Sequence, residues 1–65
     1  MVYIDFFTRE RATVLENGRT EDCIVLTRTN ELVELRVDEE VRQYKPIRMR
    51  NPASMMASKI SVKKG

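Results

Sequence analysis

Aliphatic and charged residues alternate without a break from Val33 to Asp38, and this pattern constrains the fold more than any other feature of the chain. The aliphatic positions are Val33, Leu35 and Val37, and the charged positions are Glu34, Arg36 and Asp38. A period of two places the aliphatic side chains on one face of a β-strand and the charged ones on the other. Valine also disfavours a helix, because its branched side chain loses rotamer freedom there.

A second apolar run, from Ile24 to Leu26, precedes this strand and is separated from it by Thr29-Asn30. The run is apolar on both faces of a strand, which is typical of a central position in a sheet. Asparagine tolerates a positive φ better than most residues, so Thr29-Asn30 predicts a turn. The segment from Cys23 to Val37 therefore predicts an antiparallel hairpin.

A helix over residues 29–44 is the competing interpretation. The residues at helical spacing are Val33, Val37, Val41 and Tyr44, and Thr29 or Asn30 is a suitable N-cap. The strict alternation favours a strand as far as Val37. From Asp38 to Tyr44 we expect a helical turn, which Pro46 ends.

The N-terminal part predicts two more strands. Residues 2–8 are rich in β-branched and aromatic side chains, with Val2, Ile4 and Phe6 facing the core. Residues 12–16 form a second candidate strand, and the Asn17-Gly18 pair after it is what a type I′ turn requires. Residues 2–37 thus predict a four-stranded antiparallel meander.

The pattern after Tyr44 is less regular. Residues 45–50 alternate aliphatic residues with Arg48 and Arg50 and predict a short edge strand, since Pro46 cannot donate to a ladder. Asn51-Pro52 is typical of a helix start, so residues 53–59 predict a short helix. Residues 60–62 predict a last strand, and residues 63–65 predict a frayed end.

Together these patterns predict a mainly β protein: a small antiparallel meander or barrel of SH3-like or OB-like architecture, with one or two short helical segments. We expect a β-rich domain at residues 1–50 and a basic C-terminal segment, a short helix or tail, at residues 51–65. The chain of 65 residues has one cysteine and no histidine, which excludes an internal disulfide and disfavours an ordinary zinc site. Because so short a chain buries little core, we expect a homo-oligomer, without cofactor or metal.

The expected location is the cytoplasm. The lone Cys23 is expected to be a small buried side chain in a reducing compartment. The N-terminus lacks the basic and apolar segments of a signal peptide. No run approaches the roughly 20 apolar residues of a membrane span, so we expect no membrane partner.

Catalytic patterns are missing from the sequence. Without histidine, the commonest general base and every triad that uses it are excluded. The only glycines are Gly18 and Gly65, so a glycine-rich phosphate loop is excluded as well. We expect no enzymatic activity.

Charge is divided unevenly along the chain. Residues 1–40 contain ten acidic and five basic residues, whereas residues 41–65 contain seven basic residues and no acidic one. Basic side chains contact nucleic-acid phosphates in a sequence-tolerant, salt-sensitive way. The candidate phosphate contacts are Arg42, Lys45, Arg48, Arg50, Lys59, Lys63 and Lys64, and the candidates for base stacking are Tyr3 and Phe7. The leading hypothesis is a small non-enzymatic module that binds nucleic acid.

The same charge asymmetry supports a second hypothesis, a small protein-binding regulator or assembly subunit. The basic segment then neutralises an acidic body, its own or that of a sister subunit, and mediates self-association or docking to a protein. In this hypothesis Met55 and Met56 form an adaptable apolar docking element. Salt-sensitive binding to nucleic acid favours the first hypothesis, and a dimer that nucleic acid does not retain favours the second.

Overall fold

The computed structural model describes residues 2–47 and 56–64 and shows a closed barrel of six antiparallel strands. The strands are β1 (Val2–Phe6), β2 (Arg11–Glu16), β3 (Arg19–Arg28), β4 (Val33–Val37), β5 (Glu40–Pro46) and β6 (Lys59–Lys64). The first four strands form the predicted meander, in which each strand pairs with the next. The prediction of a small, mainly β antiparallel barrel is confirmed.

The barrel closes because β6 pairs with both β5 and β1. Val62 has Val2 as its ladder partner on one side and Pro46 on the other. Since closure pairs each strand on both sides, the six strands have no free edge. Each strand therefore has an inward face that packs in the core and an outward face that meets solvent.

The core follows the period of two that the sequence shows. Its buried side chains are Ile4, Phe6, Ala12, Val14, Cys23, Val33, Leu35, Val37, Tyr44, Ile60 and Val62. The predicted inward faces of β1 and β4 are confirmed. Val2 is only half-buried and packs against the edge of the core cluster. Complete burial of a large side chain contributes roughly 1.5–3 kcal/mol.

The turn between β2 and β3 is the one that the sequence predicts. Asn17 and Gly18 have φ angles of 54° and 75°, as both central residues of a type I′ turn require. Glu16 and Arg19 flank this turn as ladder partners.

The chain also turns after β3 as predicted, but Thr29 rather than Asn30 organises the loop. The Thr29 hydroxyl accepts hydrogen bonds from the N–H groups of Glu31, at 3.2 Å, and Leu32, at 3.0 Å. Within the described ranges, the non-glycine residues with positive φ are Asn17 and Asp38. Asn30 therefore does not supply the left-handed conformation that the prediction gave it.

The predicted helical turn from Asp38 to Tyr44 is wrong, and so is the competing helix over residues 29–44. Asp38 has a φ of 56° and turns the chain into β5, which pairs with β4. A helical stripe requires Val41 to be buried, but Val41 is 52% exposed whereas Tyr44 is completely buried. Pairing on both sides of β5 buries Tyr44 and satisfies the backbone, and this tertiary gain outweighs the local helix signals.

The C-terminal segment contributes a strand to the barrel and is not a free tail. β6 runs from Lys59 to Lys64. In the described part of the predicted helix, Met56 is helical but residues 57–59 are not, and the predicted frayed end does not include Lys63 and Lys64. The reason is that Ile60 and Val62 fill the barrel interior, which requires an extended backbone on either side of them.

The predicted edge strand over residues 45–50 is also different in the structure. β5 ends at Pro46, and the N–H of Ile47 donates to the carbonyl oxygen of Ser61 at 2.9 Å. Pairing with β6 makes this strand part of the closed ring and not an edge. Residues 48–55, which hold Arg48, Arg50, Met55 and the start of the predicted helix, lie outside the described residues.

Candidate nucleic-acid interface

Lys45 and Lys63 lie side by side on the outside of the barrel. They are ladder partners between β5 and β6, and both are exposed. Their neighbours Tyr44 and Val62 are buried, so the alternation of a strand directs both lysines outward. Lys59 is exposed on the same face of β6. We call Lys45, Lys59 and Lys63 the lysine face.

The outward positions of β5 and β6 include no carboxylate. Together with the residue after β5, they are Val41, Gln43, Lys45, Ile47, Lys59, Ser61 and Lys63. Among the described residues, no carboxylate forms an ion pair with a lysine of this face. Like charges directly opposite each other on a sheet are destabilising, so the lysine face concentrates positive charge at some cost to folding.

Two carboxylates border the lysine face on the neighbouring strands. Asp5 of β1 is the ladder partner of Lys59. Glu34 of β4 accepts a hydrogen bond from the side chain of Gln43 at 3.1 Å. The ladder partner of Lys45 is another lysine, so the positive potential is strongest at the Lys45–Lys63 pair.

Tyr3 lies beside the lysine face on β1, opposite Ser61 of β6. It is half-buried and lines a shallow groove of about 200 Å³ together with Leu15 and Lys59. Since Ser61 lies midway between Lys59 and Lys63 along β6, the phenol ring is next to the lysines. An aromatic ring beside ammonium groups suits a nucleotide, because the base can stack on the ring while the phosphate contacts the ammonium groups.

A second charged cluster lies at the end of the barrel that the β2–β3 and β4–β5 turns form. Arg42 donates from Nε to Glu40 Oε1 at 2.5 Å and from Nη1 to Glu21 Oε1 at 3.4 Å. Lys64 Nζ lies 3.5 Å from Glu16 Oε2. We call Glu16, Glu21, Glu40, Arg42 and Lys64 the ion-paired end.

Tyr44 lies beneath the ion-paired end. Its ring is buried, and its hydroxyl donates to Glu16 Oε1 at 3.4 Å. Burial raises the pKa of Tyr44, the negative charge of Glu16 adds to the rise, and Arg42 opposes it. Hydrogen bonds to Glu40 and then Tyr44 raise the pKa of Arg42 above its ordinary value. Arg42 and Lys64 thus have acidic partners within the barrel itself.

The seven predicted phosphate contacts therefore divide into three groups. Lys45, Lys59 and Lys63 form the lysine face, Arg42 and Lys64 belong to the ion-paired end, and Arg48 and Arg50 lie outside the described residues. The sequence presents them as one set because it shows the charge of each residue but not the direction of its side chain.

The two predicted stacking residues lie on different surfaces. Tyr3 borders β6, whereas Phe7 lies beyond the end of β1 and is 65% exposed. Phe7 lines a groove of about 450 Å³ with Ile24 and Arg36, on the outside of β3 and β4. Of the two methionines predicted for docking, Met56 is 84% exposed and Met55 lies outside the described residues.

Sequence reasoning missed the outward position of two aliphatic residues in β3. Ile24 and Leu26 are 40% and 46% exposed. A β-bulge between Val25 and Thr27 interrupts the alternation and makes Leu26 the extra residue. The sequence carries no signal for this bulge, because an extra residue in one strand is defined only by its pairing with the next strand.

Cys23 is buried, as predicted. Its thiol donates to the carbonyl oxygen of Ala12 at 3.2 Å. Burial raises the pKa of the Cys23 thiol, and the charge of Asp22 adds to the rise. A protonated, buried thiol is unreactive at neutral pH, so the role of Cys23 is to pack in the hydrophobic core.

Neither a metal centre nor a membrane-crossing helix occurs in the described part of the chain. Within residues 2–47 and 56–64, no three His, Cys, Asp or Glu side chains are grouped to hold a metal ion. No helix in the same ranges has the length and apolar character to cross a membrane.

No protein-family model, curated protein or solved structure matches this chain. The surface of the barrel is therefore the basis for inferring what the protein does.

Proposed function

We propose that this barrel binds nucleic acid through the lysine face, in contact with the phosphate backbone and without reading base sequence. The observation that carries the proposal is the cross-strand pair of Lys45 and Lys63. These two exposed ammonium groups have no paired carboxylate among the described residues. A polyanion along β6 relieves their repulsion and gains free energy from released counterions.

The spacing along β6 supports contact with several phosphates. Lys59 and Lys63 are four residues apart in an extended strand, which corresponds to about 13 Å. That length is enough to span several phosphates of a nucleic-acid strand. Tyr3 lies beside this span and offers a stacking surface for an unpaired base, so we expect a preference for single strands.

The test is fluorescence anisotropy with a labelled, mixed-sequence, single-stranded oligonucleotide at several salt concentrations. Three phosphate contacts predict that log K falls against log salt with a slope of roughly −2. Lys63→Glu reverses one charge of the face and should weaken binding by about tenfold or more, with a shallower salt slope.

Arg11→Glu is the matched control, because it makes the same change of charge at an exposed residue of β2, which lies opposite β5 and is separated from β6 by β1. Screening over about 8 Å at physiological salt should leave its affinity nearly unchanged. Equal losses in the two variants, or no salt-dependent binding by the unaltered protein, would rule out the lysine face as the binding surface.

Self-association is the second candidate function, and the groove beside Phe7 favours it. Phe7 is the most exposed aromatic side chain in the described part of the chain. The groove is lined by Arg11 and Arg36 and also by Asp22 and Asp38, so it carries equal numbers of positive and negative charges. Such a surface is complementary to itself under a two-fold rotation, and we propose a second copy of this chain as its occupant.

Sedimentation equilibrium tests this second function. The unaltered protein should form a dimer, and Phe7→Ser should shift it to a monomer. Met56→Ser removes another exposed apolar side chain outside the groove and should leave the dimer intact. A monomer at every concentration, or a dimer that Phe7→Ser does not affect, would exclude this groove as an interface.

A further inference from the structure

A third charged site lies at the end of the barrel opposite the ion-paired end, where the connection from β1 to β2 meets β3. A pocket of about 280 Å³ opens there. Two arginines, Arg9 and Arg28, and two threonines, Thr8 and Thr27, line it together with apolar side chains. None of the carboxylates in residues 2–47 and 56–64 lines this pocket, in contrast to the ion-paired end.

Arg28 is half-buried, and no carboxylate of residues 2–47 and 56–64 compensates its charge. The guanidinium carbon lies 3.8 Å from the centroid of the Phe6 ring, and Nη2 donates to the carbonyl oxygen of Ala57 at 2.5 Å. In the described part of the chain, its buried Nε has no hydrogen-bond partner and no carboxylate forms an ion pair with it. Burial lowers the pKa of Arg28. A bound anion would offset the cost of holding this cation away from water.

The bulge in β3 is what brings Arg28 to this position. β3 has one extra residue, Leu26, between Val25 and Thr27. Regular alternation from Val25 would direct Arg28 outward, but after the bulge it pairs with the buried Val33 and faces the barrel interior. Bulges re-aim side chains near functional sites. This bulge places a cation at a position where an aliphatic side chain would avoid the desolvation cost that a charge incurs.

The connection from β1 to β2 holds the other side of the pocket in a defined shape. Thr8 Oγ1 accepts hydrogen bonds from the N–H groups of Glu10, at 3.1 Å, and Arg11, at 3.0 Å. The N–H of Val25 donates to the carbonyl oxygen of Glu10 at 2.8 Å, which ties the connection to β3. Arg9 is thereby kept at the pocket, and the Thr8 hydroxyl still has its own proton to donate.

We propose that this pocket binds a phosphate group, with Arg9 and Arg28 as its cationic partners and the hydroxyls of Thr8 and Thr27 as neutral donors. A tetrahedral phosphate accepts several hydrogen bonds at once, and the forked guanidinium group matches its geometry. The phosphate belongs either to a small phosphorylated molecule or to the end of a nucleic-acid strand. The pocket is separate from the lysine face and does not depend on the function proposed for it.

Proton–nitrogen correlation NMR with added inorganic pyrophosphate tests the proposal, with ionic strength held constant by sodium chloride. The amide signals of Thr8, Arg9, Thr27 and Arg28 should shift and saturate. Arg9→Gln keeps the half-buried Arg28 in place and should weaken binding roughly tenfold. Arg19→Gln, at the β2–β3 turn on the opposite end of the barrel, should have no such effect. Arg28→Gln should abolish the shifts, and the dispersion of its spectrum reports whether the barrel is still folded.

The source of the phosphate is decided by repeating the titration with an oligonucleotide that carries or lacks a 5′-phosphate. The Lys63→Glu variant is used here, so that binding at the lysine face is suppressed. Pocket shifts with pyrophosphate indicate a small phosphorylated molecule, and shifts only with the phosphorylated strand indicate a strand end. The proposal is overturned if neither probe shifts the pocket signals, or if Arg9→Gln leaves their titration unchanged.

Discussion

Two consecutive residues at the end of β6, Lys63 and Lys64, have opposite surroundings. Lys64 lies 3.5 Å from a carboxylate oxygen of Glu16, whereas Lys63 lies opposite another lysine, Lys45. The alternation of the strand alone produces this difference, because it directs one side chain to the ion-paired end and the other to the lysine face. Position in the sequence therefore does not indicate the role of a basic residue in this protein.

The two surfaces also differ in what their charges do for the fold. At the ion-paired end, attraction between side chains adds a small stabilisation, since exposed ion pairs contribute about 0–1 kcal/mol. On the lysine face, repulsion between Lys45 and Lys63 subtracts a similar amount. Charges that oppose folding and form no ion pair with another described residue are the ones available to a ligand.

The largest expected effect concerns Tyr44, which lies beneath the ion-paired end. Tyr44→Ala should lower the free energy of unfolding by about 3–5 kcal/mol, because it leaves a cavity at a completely buried site. Tyr44→Phe keeps the ring and loses only the contacts of the hydroxyl, a 3.4 Å hydrogen bond to Glu16 and the hydrogen bond with Arg42, so we expect about 1 kcal/mol. Urea unfolding measures both values. Equal losses would mean that the polar contacts, and not the packing, hold this end together.

The next effect compares the two consecutive lysines directly. Lys63→Glu should weaken binding to a single-stranded oligonucleotide about tenfold, or about 1.4 kcal/mol, while Lys64→Glu should change it by less than about threefold. Stability should move the other way, since Lys64→Glu places a new negative charge beside Glu16. Anisotropy measures the binding and urea unfolding measures the stability of both variants. Equal losses of binding in the two variants would contradict the assignment of Lys63 and Lys64 to different surfaces.

A further comparison uses alkaline pH. Burial raises the pKa values of Tyr44 and Cys23, so the folded state holds these protons more tightly than the unfolded chain does. Stability from both groups is complete below about pH 8.5 and is lost as the pH rises through their folded-state pKa values. Tyr44→Phe removes the tyrosine contribution, and its unfolding free energy should fall less steeply above about pH 10. Parallel curves for the two proteins would contradict the assignment.

The smallest expected effects have opposite signs on the two surfaces. Arg42→Gln removes ion pairs to Glu40 and Glu21 and should lower stability by about 0.2–1 kcal/mol. Lys45→Gln relieves the repulsion by Lys63 and should raise stability by a few tenths of a kcal/mol. Thermal unfolding at low salt measures both, and high salt should shrink both differences. If both variants changed the free energy of unfolding in the same direction, the distinction between the two surfaces would not hold.

Much of the barrel follows from patterns that act over a few residues. The alternation from Val33 to Val37 predicts β4 because burial on one face imposes a period of two. Asn17-Gly18 predicts its turn because few other residues accept the required φ. β5 was predicted as a helical turn because its charged start resembles a helix N-terminus, and only pairing with two other strands decides for the extended form.

The surfaces were less predictable than the strands. A count of charges correctly points to a basic C-terminal segment, but the register of β6 decides which lysines meet carboxylates. The bulge at Leu26 reverses the direction of Arg28, and no local pattern announces it. The surroundings of a site residue therefore depend on how the strands pair, and the sequence of a single strand does not show this pairing.

Closure of the barrel has a consequence for how the protein assembles. Five of its six ladders join consecutive strands, whereas the sixth joins positions as far apart as Val2 and Val62. Ladders between neighbours form early, and the distant one is delayed by the entropy of bringing the chain ends together. Until that final docking, β1 and β6 each present a row of unpaired backbone groups to any other chain nearby. The closed barrel is thus protected from edge-to-edge aggregation, to which the partly folded sheet is exposed.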